Sequence, residues 1–240
     1  MISKAKIICI CLALALFFFN IYYFFINKNV SPVYYIKKVL YAPSDDILSL
    51  NIYIDLVEEY CDLNNKIKDK KVYVFLGDSI TKRFNVYEYF RDCPVVNRGI
   101  FSDTTFGVIK RLEKNVNNLH VRKLFLMIGI NDLRFRSDSE IANNIFYIAT
   151  SVEAEEKYVQ SILPVECSKT YLNNRILKIN QKTRNLINSN SIKNIHFIDL
   201  HKRFLGKNGI CIASKYTRDG IHPNHEGYKI WSERIKPLLQ

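Results

Sequence analysis

Five short apolar runs separated by longer amphipathic ones, all between residue 72 and the C-terminus, constrain this chain more than any other feature. VYVFLG (72–77), PVVNRG (94–99), KLFLMIG (123–129), KYVQSILPV (157–165) and NIHFIDL (194–200) read as strands, several of them near-continuously apolar, as strands covered on both faces are. The stretches 81–91, 104–118, 138–154 and 170–190 between them have the length and spacing of helices, and 224–238 supplies a closing one. Strands that alternate with helices return parallel to one another, so the expected fold is α/β, with a central parallel sheet and helices on both faces. Ligands of such folds gather beyond the carboxyl ends of the strands.

The residues at those ends are therefore the candidates for chemistry. The first strand ends in GDSIT, the second in NRGIFSDTT, the third in GIND, and the connection before the closing helix carries DGIHPN. Each alone is an ordinary turn: Gly-Asp-Ser is a strand-to-helix connection with a cap, and Asn131-Asp132 can make an Asx turn. On the same side of one sheet they form a reaction site. Ser79 on a tight turn exposes a hydroxyl, which is a weak nucleophile until a base takes its proton. His222 is that base. Asp219, three residues before it, accepts from the other ring nitrogen and fixes the tautomer, which is the logic of the Ser-His-Asp arrangement on any fold. A developing oxyanion needs donors, and the expected ones are Ser79 N–H, Gly99 N–H and the Asn131 side chain.

Other polar residues take structural readings. Asp78 shapes its turn, Asp132 is an Asx or capping residue, and His225 stands on the first turn of the closing helix. His120, His196 and His201 have no partner at metal-ligand spacing, so no metal and no cofactor is expected. No Gly-rich phosphate loop follows the first strand, which argues against a nucleotide site.

With these blocks in view, the segment from Val72 to Gln240 resembles the SGNH (GDSL-type) hydrolases, whose pattern is a Gly-Asp-Ser turn, a Gly, a Gly-x-Asn-Asp turn and Asp-x-x-His. NRGIFSDTTFGVIKRL and VQSILPV are most similar to the platelet-activating-factor-acetylhydrolase-like branch of small esterases. The resemblance implies a three-layer α/β/α sandwich, no metal, and roles for Ser79, Gly99, Asn131, Asp219 and His222. Two departures stand out: Ile80 replaces the Leu of the GDSL name, and Phe101-Ser102 stands where relatives often have Ser-Gly or Gly-Gly.

Ahead of this domain, Ile7 to Ile26 is a twenty-residue run without a charge and with one polar residue, Asn20. At about 1.5 Å per residue it spans about 30 Å of hydrocarbon. It ends in aromatic residues instead of the small ones a cleavable leader needs, so it reads as an uncleaved transmembrane helix with the C-terminal domain outside the cytoplasm. The expected organisation is a membrane anchor over 1–26, a stalk with one helix over 27–70 and the hydrolase domain over 71–240. The formal charge of +12 is scattered among Asn and Ile, with no basic block or nucleic-acid motif, and no nucleic-acid partner is expected. Of six cysteines, Cys61, Cys93, Cys167 and Cys211 are far apart, and isolated buried thiols are the favoured reading, with one disulfide left open in an oxidising compartment.

These features lead to a membrane-anchored serine esterase acting through an acyl-enzyme, its partner an ester substrate: acetyl or another short acyl group on a cell-envelope carbohydrate. A lysophospholipase or thioesterase is the alternative within the same chemistry. A non-catalytic glycan-binding or assembly component is the alternative outside it. Neither oligomeric state nor acyl length is specified.

Overall fold

The computed structural model describes residues 46–239. The apolar segment Ile7–Ile26, and with it the expected anchor, lies outside these residues; among the described ones no helix is long and apolar enough to cross a membrane. The chain divides into two units, Met1–Asp46 and Ile47–Gln240, and the second carries the sheet.

Among the described residues, five parallel strands form one sheet in the order β2-β1-β3-β4-β5: β1 Lys71–Gly77, β2 Val95–Gly99, β3 His120–Met127, β4 Ala154–Gln160 and β5 Ile195–Ile198. The alternation of β1 divides the core into two layers. Val72, Val74 and Leu76 point to one face, where they meet α4 (Thr105–Leu112), α5 (Asp138–Ser151) and α6 (Thr170–Asn190) through Val108, Leu112, Ile141, Ile145 and Ile176. Tyr73 and Phe75 point to the other, against α2 (Ser79–Lys82), α3 (Val86–Tyr89) and α7 (His225–Ile235) through Ile80, Val86, Tyr228 and Trp231, with Phe84 between α2 and α3. The register places Phe75 beside Phe125 and Phe125 beside Tyr158, and their rings stack at 4.7 and 5.0 Å. The expected α/β architecture with helices on both faces is what forms.

Two expected elements change shape for identifiable reasons. The run 157–165 leaves the sheet after Gln160, because the backbone of Ile162 and Val165 is bonded in both directions by the side chains of Asn180 and Asn173 on α6. The expected helix 81–91 breaks into α2 and α3, since Asn97 Nδ2 donates to the carbonyls of Thr81 (2.7 Å) and Phe84 (2.9 Å). The closing helix is right in place, with His225 as its first residue and Asn224 capping Gly227 N–H.

Within the span expected as a stalk with one helix, residue 47 onward falls in the same compact unit as the sheet. Helix α1 (Asp46–Asn65) docks on the domain: Val57 and Tyr60 pack against Ile100, Tyr60 Oη donates to Gly99 O at 2.7 Å, and Asn64 receives Arg98 Nε at 3.0 Å. These anchors are partly polar, so a search for an apolar stripe underrates them. The cysteines also depart from the favoured reading. Cys167 and Cys211 form a disulfide that ties the turn before α6 to the loop ahead of His222, while Cys61 and Cys93 are free.

Candidate active site

The site forms at the carboxyl ends of β1, β2 and β3. Gly77 ends β1, Asp78 caps α2 by accepting Ile80 N–H at 2.9 Å, and Ser79 becomes the first helical residue. A strand that turns straight into a helix leaves the Ser79 side chain at the lip of the sheet. Its Oγ lies 2.9 Å from His222 Nε2.

The segment 217–223 is folded around the Asp219 carboxylate. Oδ1 accepts the backbone N–H groups of Ile221 (3.0 Å) and His222 (2.8 Å), while Oδ2 sits 2.6 Å from His222 Nδ1. Gly220, at φ +78, supplies the left-handed residue this tight loop requires. Thr217 Oγ1 donates to His222 O and receives Gly220 N–H, closing the loop from behind. Burial works to raise the Asp219 pKa, but the hydrogen bonds from His222 and Ile221 outweigh it and hold the carboxyl well below the usual range. An ionised Asp219 obliges Nδ1 to carry the ring proton, which leaves the Nε2 lone pair for Ser79 Oγ–H.

On the oxyanion side, the expected donors differ in what they already bond. Ser79 N–H is without a partner among the described residues, and Asn131 Nδ2 spends one hydrogen on Asp103 O (2.9 Å), which orients the amide. Gly99 has a different role. Its N–H donates to Asn97 Oδ1 at 2.8 Å, its carbonyl is taken by Tyr60, and a Cβ there would come 2.3 Å from Lys82 N, so the glycine lets β2 pass against α2. The residue of that loop that lines the cleft with Ser79, Asn131 and His222 is Ser102, at φ +59, whose N–H has no partner among the described residues. Of the two backbone N–H groups of this loop, that of Gly99 is engaged by Asn97 and that of Ser102 is open among the described residues. The signal available in the sequence for Ser102 was its position three residues beyond the strand end, where relatives often carry Gly.

A buried polar layer holds this loop. Arg111 Nε donates to Asp103 at 2.8 Å, with both side chains almost wholly enclosed, and Arg111 also donates to the carbonyls of Gly77 and Arg98. Asp132 is a cap of a longer-range kind than expected: it accepts Thr105 N–H (2.8 Å) and Oγ1 (2.6 Å) at the start of α4 and pairs with Arg136. Asp78 has no ion-pair partner among the described residues, and burial foremost pushes its carboxyl up to about 7. His201 and His196 stand elsewhere, the first buried against Ile162 O and the second beside Glu156. Among the described residues no group of three or more His, Cys, Asp and Glu side chains converges as a metal site would.

The cleft over Ser79 encloses about 560 Å³. Ile130, Leu133, Val165 and Leu172 contribute apolar walls, and Phe101 (43% exposed) and Tyr171 (68% exposed) stand in it as open aromatic surfaces.

Comparison with known proteins agrees with this geometry. Residues 75–230 match the model of the GDSL-like lipase/acylhydrolase family. A multidomain esterase of Ruminococcus flavefaciens is 27% identical over 128 residues, a stretch that covers 49% of this chain and only 16% of that protein. A Streptococcus pneumoniae protein described as a platelet activating factor superposes with a TM-score of 0.72 at 26% identity, covering 81% of this chain and 96% of its own. An acetylxylan esterase from Geobacillus stearothermophilus shares the fold, with a TM-score of 0.58 at 15% identity over 70% of this chain and 93% of its own. The chain belongs to the GDSL-like lipase/acylhydrolase family, and its domain is an SGNH serine ester hydrolase.

Proposed function

We propose that this member of the GDSL-like lipase/acylhydrolase family is a membrane-anchored esterase that removes acetyl or another short acyl group from a cell-envelope carbohydrate. The observation that carries the reading is the hydrogen-bonded relay Asp219–His222–Ser79 opening into a cleft with exposed Phe101 and Tyr171. Ser79 Oγ attacks the ester carbonyl as its proton passes to His222 Nε2. The oxyanion is received by Ser79 N–H, Ser102 N–H and Asn131 Nδ2. Collapse expels the alcohol, which takes the proton back from His222, and leaves Ser79 acylated. Water then attacks the acyl-enzyme with His222 again as base, releasing the acid and restoring the hydroxyl.

Short acyl groups suit a cleft in which apolar walls from Ile130, Leu133, Val165 and Leu172 are interleaved with the polar groups Arg83, Asn131, Arg134 and Arg175. Open aromatic faces suit the C–H faces of sugar rings. The multidomain esterase relative favours the same chemistry. The Ile7–Ile26 run supports the anchor, and the Cys167–Cys211 disulfide supports a domain outside the cytoplasm, since such bonds persist in oxidising compartments.

The test uses the full chain in detergent against p-nitrophenyl esters. Acetate turned over at least about ten times better than octanoate, by kcat/KM, is the expected result. The reverse order would favour a lysophospholipase or thioesterase, and no turnover of any ester would favour the binding component. Retention of the full-length chain on membranes through a high-salt wash, which screens charge and leaves insertion intact, tests the anchor.

A further inference from the structure

We infer that the alcohol part of the substrate is an anionic glycan, bearing a carboxylate or phosphate near the acylated position, and that arginines on both sides of His222 receive it. The inference rests on the esterase reading and specifies its substrate class.

Two clefts meet at the catalytic histidine. The larger, of about 560 Å³, is lined by Arg134, Lys169 and Arg175 in addition to the groups already described. The smaller, of about 340 Å³, is lined by Arg218, Pro223, Asn224 and His225. Arg83 and His222 line both, so a ligand occupying the two clefts passes the nucleophile's base and Arg83 on its way. The larger cleft has no carboxylate among its lining residues, and the smaller has only Asp219, which is engaged by His222.

Not all of these cations are available. Lys169 is held by Glu166 at 2.5 Å, and Arg175 by Asp138 at 2.7 Å and by the carbonyls of Leu133 and Arg136. Arg134 and Arg218, in contrast, are exposed and make no ion pair or hydrogen bond among the described residues. Arg83 is half-exposed and only at the margin of contact with Asp219, at 3.9 Å. The order across the site is thus Arg134 in the larger cleft, Arg83 shared, and Arg218 in the smaller. A surface cation gains little from a single exposed partner. Three of them set along one path around a reaction site raise the local concentration of a negatively charged substrate and fix its direction. Guanidinium forks match both carboxylate and phosphate oxygens. The path continues on both sides of the relay, which suits a chain of anionic units better than a single headgroup. A neutral acylated glycan would leave the Arg134 and Arg218 side chains without an ionic partner and Arg83 with only its marginal contact to Asp219.

The test compares kcat/KM of the full chain for three O-acetylated substrates: an oligogalacturonide, a glycerol phosphate oligomer and a neutral xylo-oligosaccharide. At low salt the expected result is a preference of about tenfold or more for one or both anionic substrates, with the better of the two identifying carboxylate or phosphate. The preference should collapse in 0.5 M NaCl, and in the Arg134→Gln/Arg218→Gln double variant it should fall to about twofold with the loss chiefly in KM. Equal or better use of the neutral substrate, while p-nitrophenyl acetate is hydrolysed, overturns the inference and leaves the esterase intact. Preferential turnover of an anionic lysophospholipid in vesicles overturns it in favour of a lipid. Failure to hydrolyse any of these esters, p-nitrophenyl acetate included, overturns the esterase reading itself.

Discussion

Asp219 holds His222 twice: Oδ2 takes the ring at Nδ1 (2.6 Å) while Oδ1 takes the same residue's backbone N–H (2.8 Å). A single carboxylate therefore fixes the ring, its tautomer and the loop that carries it, and a spacing of three residues is what allows one side chain to reach both. Replacing Asp219 by Asn keeps the shape but removes the charge that selects the Nδ1–H tautomer and stabilises the imidazolium. We expect Asp219→Asn to lower kcat by on the order of 10²–10⁴ with little change in KM. Because its hydrogen bonds keep the native carboxyl well below its ordinary range, Asp219 stays ionised throughout the working pH range, and an acid limb of kcat/KM centred near pH 4 would show that a different carboxylate is the base.

The assignment of oxyanion donors separates three neighbouring residues. Asn131→Ala should cost about 10²–10³ in kcat, as removal of one donor does. Ser102→Gly retains the N–H and suits φ +59, so activity should survive, whereas Ser102→Val, β-branched in a left-handed seat, should lose it. Gly99→Ala should show as lost stability, on the order of 1–3 kcal/mol by denaturant unfolding, because its new Cβ meets the backbone of Lys82. A Gly99→Ala enzyme that is fully stable and inactive would return the donor to Gly99.

Helix α1 belongs to the catalytic domain. Tyr60→Phe removes the bonds to Gly99 O (2.7 Å) and from Lys82 Nζ (2.9 Å) and should destabilise the domain by about 0.5–1.5 kcal/mol. A fragment starting at residue 66 should melt below one starting at residue 46. Identical melting of the two fragments would restore the stalk.

The buried carboxyl of Asp78 gives a pH dependence of known sign. Burial raises its folded pKa to about 7, above the unfolded value, so the folded state holds the extra proton. Its contribution is fully present below the unfolded pKa and is lost as pH rises through about 7. Asp78→Asn keeps an acceptor for Ile80 N–H without the charge. The melting temperature of the native chain minus that of the variant should therefore fall between pH 4 and pH 8, with about 2–4 °C corresponding to each kcal/mol. A difference that stays constant or grows would contradict the burial argument.

Much of this architecture was legible because it depends on local patterns. The strands announce themselves through apolar runs, and the four turns at their ends already carry Ser79, Asn131, Asp219 and His222. What escaped depends on long-range polar contacts. Asn173 and Asn180 decide where β4 stops, Tyr60 and Asn64 decide that α1 docks, and Cys167 meets Cys211 across 44 residues. Composition assigns none of these partners. In the loop after β2, glycine drew attention to position 99, where it is closely packed against α2, and away from Ser102, where the backbone is left-handed without a glycine.

The central claim is that Ser79 is the nucleophile and that the relay activates it. The most direct measurement is labelling of the folded full chain with a fluorophosphonate probe, followed by peptide mapping. The predicted result is one modified residue, Ser79, with labelling abolished in Ser79→Ala and strongly slowed in His222→Ala. Modification of a different serine, or persistence of labelling in Ser79→Ala, would contradict it.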